Sequence, residues 1–262
     1  MRSQWFYTFG PVGNEASRDG GSTRLVCFPH AGGAASAYVP LSRVLTPAVR
    51  VLAVQYPGRQ NRLREQPLSD IGRLADILAD EVHEVDEGPF AFFGHSMGAV
   101  LAYEVARRLE ARGAPGPVRL FLSGRNAPAR VPGKHDRMRS DADVLRTVRL
   151  LGGTTASVLE DPELLAMVLP ALRADYHAIG SYRWSPCPKL SVPFTVLVGD
   201  RDPVASRSGA SAWCELTSAP TDVRVFPGGH FYLDHNVDGV AETVRRVLSV
   251  PTAVTGARAA AE

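Results

Sequence analysis

The sequence predicts a mainly parallel α/β fold, with helices on both faces of one sheet and a single helical insertion. Three observations carry this. Short apolar runs that read as strands alternate with longer stretches whose apolar residues recur at helical spacing. That alternation builds a parallel sheet covered on both sides. The rhythm fails once, between Gly124 and Ser191, where no strand pattern occurs.

Residues 1–22 read as irregular and end in the breaker cluster Asp19-Gly20-Gly21-Ser22. Arg24–Phe28 is the first predicted strand, running into the small-residue loop Pro29-His30-Ala31-Gly32-Gly33 and a helix near Ala35–Leu45. Val49–Gln55 is the second strand, closed by Pro57-Gly58. Ser69 is the expected N-cap of a helix marked by Ile71, Leu74, Ile77, Leu78 and Val82. Phe90–Phe93 is the third strand and turns at Gly94–Gly98 into a helix from Ala99 to about Arg112. Val118–Ser123, Val192–Val198 and Asp222–Phe226 complete the strands, and a last helix spans about Val237 to Leu248. Within the insertion, Asp141–Leu151, Glu163–Leu172 and Arg173–Tyr182 read as helices. At about 65 residues this segment far exceeds an ordinary connection. The expected organisation is a core of 1–124 with 191–250, an insertion of 125–190 and a frayed tail of 251–262.

Composition narrows the function. The chain has 262 residues, 45% hydrophobic and 21% charged, enough for one domain with a large core. Its 29 basic and 27 acidic residues leave a net charge of +2, too balanced for a nucleic-acid binder working by bulk charge. No apolar run is long enough to span a membrane, and the N-terminus shows no signal-peptide pattern, so a soluble cytoplasmic protein is expected. Cys27, Cys187 and Cys214 are odd in number and widely spaced, which argues against a disulfide framework or a zinc site. No metal-ligand spacing appears among the histidines and carboxylates, and no cofactor is expected.

Gly94-His95-Ser96-Met97-Gly98 is G-x-S-x-G between a strand and a helix, the setting of a nucleophile elbow in the α/β-hydrolase fold. A serine nucleophile needs a base, and the base needs an orienting carboxylate. His135, His177, His230 and His235 lie downstream. The first two fall in the insertion, and His235 beside Asp234 suits a cap or the surface. His230, in Pro227-Gly228-Gly229-His230-Phe231, follows a strand at the sheet's C-terminal edge, where functional groups gather. The acid should follow the preceding strand, where Gly199-Asp200-Arg201-Asp202-Pro203 offers two carboxylates. Spacing alone does not separate them; Asp202 is favoured because it lies further from the strand end and can reach the histidine loop. Asp202 could also cap a helix opened by Pro203, and Asp200 could hold the turn. An oxyanion hole needs two N–H donors, for which Met97 and Ala31 are the candidates.

These segments together resemble the type II thioesterases, stand-alone α/β-hydrolases that accompany polyketide and nonribosomal peptide synthases. The resemblance covers about residues 5 to 248. It includes the loops named above, Tyr56-Pro57-Gly58-Arg59, and three stretches of the insertion: Leu151-Gly152-Gly153-Thr154, Pro162-Glu163-Leu164-Leu165 and Leu169-Pro170-Ala171-Leu172-Arg173-Ala174-Asp175-Tyr176. One departure is Ala178-Ile179-Gly180, near which the family commonly carries an acidic residue. The resemblance implies that Asp202 is the acid, that Ala31 and Met97 form the oxyanion hole, and that the insertion is a helical lid. It implies hydrolysis of acyl thioesters on the phosphopantetheine arm of acyl- or peptidyl-carrier domains, in an editing role, by a monomer or weak dimer. Other readings are a small-molecule carboxylesterase, a cyclising thioesterase and a non-catalytic carrier-binding protein. The lid should close an apolar face (Leu164, Leu165, Met167, Val168, Leu169, Leu172) over the acyl chain. Arg59 and Arg62 are candidates for steering an acidic carrier domain to the site.

Overall fold

A computed structural model describes residues 3–9, 23–82, 88–129, 138, 140–153 and 156–249. His135 and the expected tail at 251–262 lie outside the described residues. The sheet comprises β1 (Phe6–Thr8), β2 (Arg24–Phe28), β3 (Arg50–Val54), β4 (Phe90–His95), β5 (Leu120–Ser123), β6 (Phe194–Gly199) and β7 (Thr221–Phe226), in the order β1-β3-β2-β4-β5-β6-β7. All neighbours are parallel except β1, which runs antiparallel to β3 with Phe6 opposite Val54. The helices are α1 (Val39–Leu45, entered from a 3-10 turn at Ala35–Tyr38), α2 (Ile71–Val82), α3 (Met97–Ala111), α4 (Asp141–Leu151), α5 (Ala156–Glu160), α6 (Pro162–Ser181), α7 (Arg207–Ser211) and α8 (Val237–Ser249).

Successive strand residues point to opposite faces, and β2 divides accordingly. Val26 and Phe28 pack with Val54 and Phe92 under α2 and α3, through Ile71, Leu74, Leu78 and Leu101. Leu25 and Cys27 pack with Val51, Ala53 and Phe93 under α1 and α8, through Leu41, Leu45, Val240 and Val244. Both faces are covered, so β2, β4, β5 and β6 are buried along their whole length. Parallel strands share one polarity. The loops after β2, β4, β6 and β7 therefore open at the same edge, which is where a site can form.

Several expectations need correction. β1 was not expected: three residues are too short for any periodicity, and the strand is fixed by pairing with β3 and by the buried Trp5 beside it. Asp70, not Ser69, caps α2, since its carboxylate accepts the Arg73 N–H at 2.7 Å. The two helices expected at 163–172 and 173–182 are one, α6. Nothing at Leu172-Arg173 interrupts the chain, and Leu172, Tyr176 and Ile179 keep a single buried stripe. Asp161 opens α6 by accepting the N–H groups of Glu163 and Leu164, with Pro162 in the first turn, where its missing N–H costs nothing. Among the described residues, no strand lies between β5 and β6. That stretch holds α4, α5 and α6, with a small apolar cluster of its own formed by Val144, Val148, Leu159, Leu172 and Tyr176.

Candidate active site

Ser96 occupies the turn between β4 and α3 with φ 56° and ψ −114°, a left-handed backbone that few non-glycine residues adopt. Hydrogen bonds hold it there: Ser96 N–H donates to the Ser123 carbonyl (2.8 Å), and Ala99 N–H donates to the Ser96 carbonyl (3.1 Å). The flanking glycines are required by crowding. A Cβ on Gly94 would lie 2.1 Å from the Gly98 carbonyl oxygen, and one on Gly98 would lie 1.9 Å from that of Phe28. The hydroxyl is thereby lifted off the strand ends and partly exposed.

His230 follows β7 and is 2% exposed. Its Nε2 lies 3.0 Å from Ser96 Oγ, and its Nδ1 lies 3.0 and 2.9 Å from the two carboxylate oxygens of Asp202. Nδ1 faces only acceptors on Asp202 and so carries the proton, leaving Nε2 free to accept from the serine hydroxyl. Asp202 Oδ1 also accepts the N–H groups of Val204 (2.8 Å) and Ala205 (3.2 Å), which fixes the carboxylate. No α-helix begins at Pro203; the next helix is α7, capped by Ser206. Asp200 is exposed. It accepts the Gly228 N–H at 2.8 Å, and that bond is the main reason its carboxyl lies below the usual range. Gly199 lets these two loops meet, because a Cβ there would fall 2.3 Å from the Gly229 carbonyl oxygen. Of the two aspartates left open by spacing, the structure brings Asp202 to the histidine and uses Asp200 to tie the β6 and β7 loops. His235 is exposed, and His177 lies on α6.

Ala31 and Met97 line the same small cavity as Ser96 and His230. Met97 is the first residue of α3, where a backbone N–H has no partner within the helix. Among the described residues, no backbone hydrogen bond takes the Ala31 N–H. The cavity is about 20 Å³ and is walled on its outer side by Leu151 of α4 and by Tyr176 and Ile179 of α6. A larger cleft of about 830 Å³ lies at the far end of α3 and includes none of the Ser96, Asp202 and His230 group; its Glu104, Arg107, Arg108 and Tyr182 are engaged with one another.

Two further histidines surround the site and were not singled out in the sequence. The His30 imidazole is pushed down to about 3, first by burial and then by the nearby His230 and Arg59. His95 is held well below the usual range first by burial and then by His230 and His30. It sits 5.0 Å from His230, ring to ring, and its Nδ1 meets Ser123 Oγ, which meets the Tyr232 hydroxyl at 2.6 Å. Both rings are neutral near pH 7, so neither places a positive charge beside His230. Position within the elbow motif and within the loop after β2 was the signal that could have found them.

The two arginines expected to steer a partner do not lie on the surface. Arg59 is 6% exposed and pairs with Asp175 of α6. Arg62 is 4% exposed, donates to the Gln55 carbonyl and to Glu65, and stacks 4.2 Å over Trp5. Their common segment turns back at Gly58, whose N–H donates to the Arg62 carbonyl (2.9 Å), and both guanidinium groups meet protein acceptors rather than water. The expected apolar face of α6 is only partly free: Leu164 and Met167 are exposed, whereas Leu172 is buried. Among the described residues, no group of three or more His, Cys, Asp or Glu is arranged to hold a metal ion, and no helix is long and apolar enough to cross a membrane.

The model of the family described as thioesterase domain matches residues 23–248. Thioesterase PikA5 of Streptomyces venezuelae is 42% identical over 255 residues, covering 97% of this chain and 89% of that protein. A Streptomyces griseus protein named for cadicidin biosynthesis is 42% identical over 246 residues; they cover 94% of this chain, which spans 66% of that relative's length. The solved structure of BorB, a type II thioesterase from the borrelidin biosynthetic cluster, superposes with a TM-score of 0.82 at 42% identity, covering 93% of this chain and 97% of that one. The family match spans β2 to α8 and thus every element that brings Ser96, Asp202 and His230 together: this chain belongs to the thioesterase family and has the α/β-hydrolase fold, with type II thioesterases of polyketide and nonribosomal peptide pathways among its relatives.

Proposed function

We propose that the protein is a cytoplasmic serine thioesterase that hydrolyses acyl groups from the phosphopantetheine arm of acyl- or peptidyl-carrier domains, clearing stalled synthases. The observation that carries this is the hydrogen-bonded run Ser96 Oγ, His230 Nε2, His230 Nδ1, Asp202 in a chain of thioesterase ancestry. His230 takes the hydroxyl proton as Ser96 attacks the thioester carbonyl. The oxyanion is stabilised by the N–H groups of Ala31 and Met97, the latter at the positive end of α3. Collapse expels the pantetheine thiol, protonated by His230. A water molecule, deprotonated by His230, then attacks the acyl-serine; the second tetrahedral intermediate releases the free acid and returns the proton to Ser96. Asp202 keeps the imidazole in the reactive tautomer and stabilises its charged form. Side chains and water suffice for both halves, since the arm arrives with its substrate. The α4 and α6 helices act as the lid: a cavity of about 20 Å³ is too small for an acyl chain, so Leu151, Tyr176 and Ile179 must withdraw for substrate to enter.

The test compares three substrates: an acylated carrier domain, the same acyl group on free pantetheine, and its oxygen ester. Acid release should be fastest from the carrier, with the thioester preferred over the ester. Preference for the oxygen ester would favour a carboxylesterase, and a cyclic product a cyclase. Carrier binding without turnover would leave a docking protein.

A further inference from the structure

Residues 29–34 are mostly small, and within the segment a turn bond from Gly33 N–H to the His30 carbonyl (2.9 Å) braces them. The structure fixes this loop and the turn that follows it through four backbone groups, each met by a buried side chain. The Tyr56 hydroxyl donates to the Pro29 carbonyl (3.2 Å), and Gln55 Oε1 accepts the Ala35 N–H (2.8 Å). Between them, Asp175 Oδ2 accepts the Gly32 N–H (2.7 Å), and Arg59 Nη1 donates to the Gly33 carbonyl (2.9 Å). Arg59 and Asp175 also grip each other at two points, 2.7 and 3.0 Å, at 6% and 1% exposure. Arg59 comes from the segment after β3, Asp175 from α6. Leu172, one turn earlier on α6, presses on the same loop: a Cβ on Gly32, whose φ is +78°, would meet Leu172 Cδ2 at 2.4 Å.

A buried ion pair is a poor device for stability. Its attraction roughly offsets lost hydration, and apolar residues of the same volume often do as well. What apolar residues cannot do is fix a chosen N–H and a chosen carbonyl. Here those groups belong to Gly32 and Gly33, directly after Ala31.

We propose that Arg59 and Asp175 are positioning residues for the reaction: the pair locks Gly32 and Gly33 so that the Ala31 N–H points at the Ser96 oxyanion, and it makes that alignment depend on α6 being docked. This rests on the thioesterase reading above. Withdrawal of α6 admits substrate and at the same time releases the donor; redocking restores it. Hydrolysis is then confined to the closed state, in which the acyl group is already seated.

The test is the charge-free pair Arg59→Gln with Asp175→Asn, which leaves no lone buried charge, beside Asp175→Asn alone. An alkyl boronic acid serves as probe, because its tetrahedral adduct on a serine hydroxyl uses the same donors. For the double variant, kcat on a pantetheine thioester should fall about 10- to 100-fold with KM changed less than about threefold. Boronate affinity should weaken by a similar factor. A folded double variant with wild-type kcat and boronate affinity would overturn the proposal, whatever its melting temperature. Should neither variant fold, hydrogen exchange of the wild-type enzyme decides. Boronate binding should slow exchange in residues 29–34 and in residues 171–178 together; slowing confined to 29–34 would overturn the coupling. A wild-type protein inert on thioesters would instead sink the functional reading on which the clamp depends.

Discussion

The two walls of the cavity are built in different ways. The inner wall, carrying Ser96, Asp202 and His230, stands on the ends of β4, β6 and β7 and is braced by two large apolar clusters on the faces of the sheet. The outer wall, from α4 and α6, has a cluster of five buried residues and leaves Leu150, Leu164 and Met167 exposed. The first wall is rigid because moving any strand disturbs many neighbours at once. The second meets the core along one side of α6, through Leu172, the Asp175–Arg59 pair, Ala178 and Ile179. On the proposed reading this is a division of labour: chemistry is placed on the wall braced by the sheet, and access on the helical wall.

The largest expected effect within this contrast concerns the inner wall. Asp202→Asn should lower kcat/KM by about 10²- to 10⁴-fold with little change in KM, because an amide favours the wrong imidazole tautomer. Asp200→Asn should change activity less than about threefold and lower the melting temperature slightly, since it loosens only the tie to Gly228. Steady-state kinetics on both variants check this, and the reverse order would break the assignment.

Arg62→Ala should destabilise the protein by about 1–3 kcal/mol, because the Gln55 carbonyl and the Trp5 ring lose their partner. Its kcat/KM on carrier and on pantetheine substrates should change by the same factor at every ionic strength. A loss confined to the carrier and fading with salt would restore a steering role.

On the outer wall, Leu151→Phe should shift kcat/KM toward shorter acyl chains by roughly tenfold, as a cavity-filling change does. Amides of α4 and α6 should exchange faster than those of β2 and β4. Equal protection in helices and sheet would erase the contrast between the walls.

A further effect is on pH. His30 is neutral in the fold, held down to about 3, whereas an unfolded histidine takes up a proton near 6.5. The unfolded chain therefore binds the proton that the folded protein refuses, and stability falls as pH drops from about 6.5 toward 3. His30→Gln should flatten that slope in urea titrations; an unchanged slope would show that His30 is charged in the fold.

The contrast also explains what could be read in the sequence. The strands, α2, α3, α4 and α8 follow local periodicity, and Ser96 and His230 each stand in a short motif that sets its own turn. The choice between Asp200 and Asp202 could not be made by spacing, because residues two apart leave the strand in different directions, one back to a tie and one forward to the imidazole. β1 was too short to show a pattern. Arg59 reads as a steering charge because an arginine in a loop is ordinarily solvated, whereas its partner Asp175 lies 116 residues away on a helix that carries no mark of the contact. His30 and His95 gave no signal of their neutrality, since this comes first from burial and then from rings brought together by the fold.

The central claim is that Ser96 is the nucleophile, and turnover by Ser96→Ala tests it most directly. The hydroxyl stands at a turn outside the packed core, so the variant should keep the wild-type melting temperature. Its acid release from an acylated carrier domain should fall by at least roughly 10³-fold. A folded Ser96→Ala protein retaining more than about a tenth of the wild-type rate would contradict the account.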